Sequence, residues 1–400
     1  MRRPALALIL GCLLLVAGAS ALDGYDYYQT IEYAACDQEI YQQDIIIHRT
    51  TGTAYNETAG GLETWHIFVG DHCQADYDDV RFTNSTGAEL AYYLWPDYDA
   101  TSARFAVRLE GADAAGVLVI WYGNPTATTT SDGDATFPLM FYDFEDKSLD
   151  GWTPLGGTWS AQNQNLESSS LNTYIATTNQ IDQTELVWEC DVKVVNNAMV
   201  QVYVLAYQAA SYQYQWNVAV APAGASFWYG DSLRVAANQA LPAGEMAHIT
   251  LSRSPSGVWK LWQNGVYVGT TTSTIAPGRY VKVRTHWATP ATYAWDNFLV
   301  RTYSATPPAA TTFSGEVESD SAPQPFPGLT AYPRDLAGNG LYTDINGNNR
   351  LDYNDLTVFF QHLAWAKTAQ PIACFDFNGN GWLDYNDVIT LFTTIMEEHT

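Results

Sequence analysis

The sequence predicts a mainly β chain: two antiparallel, jelly-roll-like β-sandwich domains, then a small α-helical module built on EF-hand-type loops. Three observations lead there. Alternating runs of Val, Ile, Tyr and Trp dominate the chain up to about residue 303. Gly, Asn, Asp and Ser-Thr clusters break these runs at the regular spacing of sandwich strands. Near the C-terminus, two twelve-residue acidic segments are each followed by an apolar stripe of helical period.

Residues 1–21 read as a secretory signal peptide. Arg2 and Arg3 give a basic start, Ala5 to Val16 an apolar stretch too short to span a membrane comfortably, and Ala19-Ser20-Ala21 a small-residue cleavage site. The expected protein is secreted, extracellular and associated with a cell surface, with no membrane insertion of the mature chain. The formal charge is −25, and loss of Arg2 and Arg3 with the leader makes it −27. A chain this acidic repels nucleic acid and anionic membranes, so neither is an expected partner. Of the four cysteines that remain, Cys36 and Cys73 are candidates for a disulfide. Cys190, on the strand face of Trp188 and Val192, reads as a buried thiol. Asn56-Glu-Thr58 and Asn84-Ser-Thr86 are glycosylation sequons.

Residues 22–135 hold strand-like runs at Asp44–His48, Thr64–Val69, Asp79–Thr83, Leu90–Trp95, Ala103–Leu109 and Val117–Tyr122, the pattern of a first sandwich. Within it, Cys73, Asp76, Asp79-Val-Arg81-Phe82 and the later Trp121-Tyr122-Gly123-Asn124-Pro125 resemble a domain of exported archaeal and bacterial proteins, domain of unknown function 2341. That resemblance implies a sandwich on a surface protein and no established activity.

Residues 136–303 read as a second sandwich. Asn264-Gly265 between Trp259–Trp262 and Val266–Gly269 is the signature of a hairpin with a type I′ turn. This hairpin, the closing Tyr293–Val300 strand with Asp296-Asn297, and the start at Phe141–Asp146 resemble the laminin-G/concanavalin-like jelly roll, for which carbohydrate binding is the usual inference. Residues 304–330, rich in Pro, Ser and Thr with an acidic patch at Glu316–Asp320, read as an extended linker.

The 331–400 module carries the most specific signal. Asp344–Asp355 and Asp376–Asp387 each place oxygen-bearing side chains at positions 1, 3, 5, 9 and 12, the spacing of an EF-hand calcium loop. Leu356, Phe359, Phe360 and Leu363, then Val388, Leu391, Phe392 and Ile395 thirty-two residues on, form one apolar stripe per helix, and two such stripes can cover each other. The double loop–helix unit resembles a type I dockerin module or its archaeal relatives. The resemblance implies Ca²⁺ held in the first loop by Asp344, Asn346, Asn348, the Arg350 carbonyl, Asp352 and Asp355. In the second loop Asp376, Asn378, Asn380, the Trp382 carbonyl, Asp384 and Asp387 would hold it. Two ions are expected, with an incomplete third loop at Asp335. Asn349 stands where position 6 is normally Gly, a substitution that Asn tolerates at positive φ. In dockerins, positions 10 and 11 meet the cohesin partner. Here they are Tyr353-Asn354 and Tyr385-Asn386 instead of a Ser/Thr pair, which points to a cohesin-like or other surface protein and away from a standard cellulosomal cohesin.

No catalytic constellation stands out. Gly230-Asp231-Ser232-Leu233 spells a lipase-like tetrapeptide but sits among strands and reads as a turn. Glu189-Cys-Asp191-Val-Lys193 resembles the acidic strand of concanavalin-like glycoside hydrolases, but Val194 and Val195 stand where its second acid should be. Its acids read as the outward polar face of a core strand. His66 and His72 lack zinc-ligand spacing. Tyr212, Tyr214, Trp228 and Tyr229 are candidates for stacking on sugar. The favoured reading is a non-catalytic surface or adhesion protein: sandwiches that bind glycan or surface protein, and a calcium-bearing tail that docks. The alternatives are a polysaccharide-degrading glycoside hydrolase carried by the same tail and a structural cell-envelope protein.

Overall fold

The computed structural model describes residues 22–398 apart from 23, 197, 208–214, 276–277, 319–322, 324, 338 and 381. The signal peptide, Tyr212, Tyr214 and the end of the acidic patch lie outside the described residues. Among those described, no helix is long and apolar enough to cross a membrane.

The first sandwich opens with β1 (Tyr27–Tyr33), β2 (Ile40–His48), β3 (Tyr55–Ala59), β4 (Leu62–Phe68) and β5 (Arg81–Asn84). It continues through β6 (Tyr92–Leu94), β7 (Ser102–Glu110), β8 (Gly116–Tyr122) and the single turn α1 (Gly133–Thr136). All six strands expected from the alternating runs are present. The second sandwich begins with β9 (Met140–Tyr142), β10 (Trp152–Pro154), β11 (Leu166–Ser168), β12 (Tyr174–Thr177), β13 (Leu186–Lys193), β14 (Val200–Ala206) and β15 (Trp216–Ala221). Then come β16 (Gly224–Tyr229), β17 (Ser232–Val235), β18 (Met246–Arg253), β19 (Val258–Gln263), β20 (Val266–Thr272), β21 (Tyr280–Arg284) and β22 (Tyr293–Thr302). Asn264 and Gly265 both have positive φ, 48° and 73°, as a type I′ hairpin between β19 and β20 demands. Gly230, at φ 55°, turns β16 into β17, so the lipase-like tetrapeptide is a hairpin.

The stretch 304–330 behaves differently from an extended linker. Within it β23 (Ala310–Phe313) and β24 (Val317–Glu318) pair with β1, extending the sheet β23-β1-β8-β5. The second sandwich is therefore an insertion, and the chain returns to finish the first. Strands β23 and β24 have too few apolar residues to read as strands alone; β1 supplies the hydrogen-bonding edge that recruits them. The partner sheet, β3-β4-β2-β7-β6, contains one parallel pair, β2 with β4. Between the two sheets lies a core of Ile31, Ile45, Trp65, Phe82, Phe105 and Ile120, with Cys36 and Cys73 buried in it. These two cysteines are both free thiols, so the expected disulfide is absent. The second sandwich packs β11-β22-β13-β18-β19-β20 on β10-β12-β21-β14-β15-β16-β17. Its core includes Trp188, Trp216, Trp259, Trp295 and the free thiol of Cys190, which lies where the strand alternation puts it.

The two sandwiches meet face to face. The outer faces of β2 and β7 cover the outer faces of β13, β18 and β22, so four sheets stack in sequence. Glu189 is 4% exposed at this junction. Arg301 Nε lies 2.6 Å from its Oε1, while His248 Nε2 at 2.9 Å and Arg104 at 3.4 Å reach Oε2. Asp44, from β2, bridges Arg104 and Arg301 at 3.0 Å each. His248 Nδ1 meets Asp191 at 2.8 Å, Asn297 donates to Asp191 at 2.7 Å, and Tyr93 donates to Asn297 at 3.1 Å. An apolar patch of Tyr93, Trp95, Phe137 and Leu299 closes one side, and Lys260 and Trp262 donate to the carbonyls of Gly60 and Ala59 on the other.

Burial acts against the charged His248 ring. The Asp191 carboxylate and the bonds to Asp191 and Glu189 outweigh it and raise its pKa to about 9. Burial likewise opposes the Glu189 carboxylate, but Arg301, His248 and Arg104 hold its pKa well below the usual range. Asp296 on β22 goes the other way: burial, with the Asp191, Asp143 and Glu145 charges, lifts it to about 8.

In the tail, α2 (Tyr353–Ala369), α3 (Ile372–Phe375) and α4 (Tyr385–Glu398) enclose Ile345, Leu351, Phe359, Leu363, Leu383, Leu391 and Ile395. Phe326, from the expected linker, inserts edge-on against Phe359 and Phe375 and belongs to this core. The two stripes are narrower than expected. Phe359, Leu363, Val388, Leu391 and Ile395 are buried and Leu356 is partly buried against the same core, but Phe360 and Phe392 are 55% and 42% exposed.

Two outcomes follow for the junction. Arg301→Ala leaves Glu189 buried beside fewer cations and should cost about 3–5 kcal/mol, read as an earlier urea transition of the paired sandwiches. The folded His248 holds its proton above its ordinary value of 6.5. Its contribution is therefore complete below that pH and is lost as pH rises through about 9. Asp296 adds loss of the same sign up to about 8. Lys282, whose amine is pushed down to about 7, contributes in the opposite sense over the same range, so the comparison of variants isolates the junction: between about pH 6 and about pH 10 the urea midpoint of wild type should lose more than that of His248→Gln.

Candidate functional sites

The twin loops repeat one hydrogen-bond pattern. In the first, the Asn348 and Asn349 N–H groups donate to the two oxygens of Asp344 at 2.9 and 2.7 Å. Asn346 N–H donates to Asp355 Oδ1 at 3.0 Å and Asp352 N–H to Asp355 Oδ2 at 2.9 Å. In the second, Asn380 N–H donates to Asp376 at 3.1 Å, and Asn378 and Asp384 N–H groups donate to the two Asp387 oxygens at 3.2 and 2.8 Å. Position 9 also caps each helix, with Asn354 N–H on Asp352 and Asn386 N–H on Asp384, both at 2.7 Å. Gly347 and Gly379, at position 4, share φ 71°, and Asn349 takes φ 65°. Asn at position 6 thus adopts the left-handed conformation the loop needs.

Asp344, Asp355 and Asp387 are buried; Asp352, Asp376, Asp384 and Asn346 are half-buried; Asn348, Arg350, Asn378, Asn380 and Trp382 are exposed. Burial, with the Asp344 and Asp352 charges, raises the Asp355 pKa. Burial, with Asp376 and Asp384, does the same for Asp387. Both carboxylates thus carry one backbone N–H per oxygen and sit in acidic company. Among the described residues, no three His, Cys, Asp or Glu side chains converge closely enough to form a ready-made metal cluster. The donor set nevertheless suits a hard cation: all-oxygen, with the spare lone pairs of Asp355 and Asp387 available for two-oxygen contact. Upstream, Asp335 takes the N–H groups of Ala337 and Gly340, closing its own turn.

The exposed tail surface is paired as well. Tyr353 lies 6.3 Å from Phe392, and Tyr385 lies 6.0 Å from Phe360. Each pair joins position 10 of one loop to the outward Phe of the other helix. Asn354 and Asn386 stand exposed beside them. The outward Phe residues were not legible as surface because their spacing also fits the buried stripe.

In the sandwiches, Glu189 is buried under the first sandwich and Asp191 is half-buried beside it. The outer face of the sheet β10-β12-β21-β14-β15-β16-β17 is polar and aromatic: Tyr174, Gln201, Tyr203, Asn217, Trp228, Lys282 and Arg284. None of its seven strands contains Asp or Glu. Arg284 donates to Gln201 at 2.9 Å and to Asn172 at 2.8 Å; Lys282 donates to Gln215 at 2.8 Å and lies over the Tyr203 ring. Burial and the Arg284 charge push the Lys282 amine down to about 7. Tyr174, Tyr203 and Lys282 are buried on this face. Trp228 lies on it by strand alternation, whereas Tyr229 turns inward against Trp216 and packs, partly buried, on the core. The strict alternation of β14, β15 and β21 contains the signal for this face.

The first sandwich explains its motif. Asp79, 1% exposed, accepts from Gln74, Gly123 and Asn124 N–H groups at 2.9, 2.9 and 3.1 Å. Arg81 donates to the carbonyls of Asp78, Val80 and Thr128. These residues staple the start of β5 to the end of β8. His48 and His66 meet at 2.9 Å, and Glu57 holds the far nitrogen of His66 at 3.1 Å. A cleft of about 610 Å³ opens beside them, lined among others by Gln29, Thr53, Phe68, Asp71, His72 and Glu316.

The family model described as "Domain of unknown function (DUF2341)" matches residues 76–162, which include Asp79, Arg81 and Gly123–Pro125. A search of curated proteins found no match. Among solved structures, a carbohydrate-binding module (CBM66) from Bacillus subtilis is 13% identical, with 38% of this chain and 96% of that one covered at a TM-score of 0.33. Domain 4 of AbnA, an extracellular arabinanase from Geobacillus stearothermophilus in complex with arabinotriose, is 13% identical, with 42% and 92% covered at 0.31. A Bacillus licheniformis β-glucanase is 11% identical, with 41% and 97% covered at 0.32. At such identities and scores these likenesses say nothing of activity, and the mainly β, sandwich architecture rests on the strand order described above.

Proposed function

We propose that this chain is an exported, non-catalytic surface protein whose tail binds two Ca²⁺ ions and docks to a cohesin-like or other surface protein, while its sandwiches bind glycan. One observation carries the docking reading: two loops thirty-two residues apart repeat the same N–H-to-carboxylate pattern and present the same Tyr–Phe pair beside an exposed Asn. The loop residues would hold the ion through Asp344, Asn346, Asn348, the Arg350 carbonyl, Asp352 and Asp355, and through their counterparts from Asp376 to Asp387. A bound divalent cation would supply the positive charge that the crowded acids lack and fix the loop against the helix start. Tyr353, Asn354, Tyr385 and Asn386 form the partner-facing surface. The burial of Glu189 supports a non-catalytic sandwich, since a hydrolase needs its acids open to substrate.

Calorimetry on the full chain should detect two Ca²⁺ ions. Gly347→Ala should abolish one and leave the other. An added Cβ there meets the Tyr332 carbonyl at 2.4 Å on a backbone with φ 71°, whereas the second loop is untouched. Absence of any calcium-linked heat from the wild-type chain would remove the tail reading. Capture of a surface protein from an envelope extract should need calcium, and the pair Tyr353→Ser with Tyr385→Ser should weaken it more than either change alone. Equal capture in chelator would count against docking through folded loops.

A further inference from the structure

The cleft on the first sandwich is assigned by neither its motif nor the tail. It lies where the loop after β2, the loop after β4 and the returning segment after β23 converge. Glu316 is its centre. Oε2 of Glu316 accepts from the Tyr122 hydroxyl at 2.9 Å, and Oε1 lies 2.9 Å from Nδ1 of His72. Tyr122 is itself oriented: Gln29 donates to its oxygen at 2.8 Å and to the Phe68 carbonyl at 2.8 Å. The His72 ring lies flat on Tyr27, with centroids 4.2 Å apart and planes 8° apart. The side chains of His72 and Glu316 remain 40% and 29% exposed. Gly52 makes the opposite wall: a Cβ there would lie 2.3 Å from the Phe68 ring, so only glycine lets the loop rest on that ring.

We propose that this cleft binds a neutral saccharide unit, with the Glu316 carboxylate accepting from two adjacent sugar hydroxyls and the stacked His72 ring carrying an apolar sugar face. This rests on the reading that the sandwiches bind glycan and names the site and the sugar class. A volume of about 610 Å³ lies in the range of small-ligand pockets. Each Glu316 oxygen already takes one bond and keeps further lone-pair capacity, so the carboxylate is held at fixed orientation. Two acceptors at that spacing match the parallel O–H groups of a vicinal diol. Asp71 adds a second carboxylate at the rim, and the chain's net charge of −25 further disfavours anionic sugars. The returning segment completes the cleft, so the site exists only once the second sandwich has been threaded and the chain has come back.

The test is titration of the full chain with neutral oligosaccharides of glucose, xylose, mannose and arabinose, with oligogalacturonate and a lysine-rich peptide as comparisons. At least one neutral sugar should bind. Glu316→Gln should weaken it about tenfold or more, the loss expected for a hydrogen bond to a charged acceptor, and His72→Ala should weaken it too. Both residues are surface-exposed, and unchanged circular dichroism will show that the fold is kept. Binding that survives both variants but falls with Trp228→Ala would overturn the cleft and leave glycan binding by the second sandwich standing. No neutral sugar bound, oligogalacturonate bound as tightly, or the peptide bound in place of sugar would each overturn the proposal. The first of these would also end the glycan reading.

Discussion

The arrangement of the four sheets depends on one buried carboxylate. Glu189 sits on the outer face of β13, where strand alternation puts polar groups toward water. The first sandwich lies over it instead, and removing a carboxylate from water costs several kcal/mol. Arg301, Arg104 and His248 offset that cost only if β2, β7, β18 and β22 are held at one mutual position. Such a cluster adds little net stability compared with an apolar contact, but it tolerates little displacement. A slip of one residue along β13 would swap Glu189 for Trp188 or Cys190. The cluster therefore sets the register between the domains, while Leu299, Phe137 and Trp95 supply the apolar burial around it.

That register matters because the chain must find its way back. Strand β1 pairs with β8 inside the first sandwich and with β23 beyond the second, nearly three hundred residues later. Contacts so distant in sequence form late, because the intervening chain has to be ordered first. Once β22 is locked against β2, residue 302 ends beside the first sandwich: the Thr302 N–H donates to Gln42. From there the short run to Ala310 reaches β1 easily. The ionic junction thus shortens the effective loop for the last strands, and those strands carry Glu316 into the cleft.

Much of the architecture was legible from period alone. Runs such as Val200-Gln-Val-Tyr-Val and Val281-Lys-Val-Arg alternate without error, and Asn264-Gly265 marks its hairpin because few other pairs accept two positive φ values. Four things were not legible. Strands β23 and β24 are polar and short, and only an edge elsewhere makes them strands. Phe360 and Phe392 satisfy the i+4 spacing of a buried stripe, and nothing local says that the opposing helix leaves them outside. The fate of Glu189 depended on what covers its sheet, a tertiary fact that a pattern with period two cannot contain. The cleft was invisible for the same reason, since its residues come from β1, from the loops after β2 and β4 and from the returning segment after β23. The loops were legible residue by residue, because their chemistry is local.

The tail shows why local legibility and the proposed function coincide there. In each loop the acids at positions 9 and 12 already serve the helix that follows, as N-cap and as the reciprocal partner of a capping box. They would be retained by the helix even without an ion. Asp344 and Asp376 are different. Neither side chain caps the helix that follows its loop, and each accepts from the N–H group four residues on. Burying Asp344 with Asp355 places two like charges in one small volume, which folding alone disfavours. A loop needed only as a turn would be better served by Ser or Asn at position 1. The charge at that position, repeated thirty-two residues later, is what the proposed cation would neutralise, and it is the feature on which that proposal rests most directly.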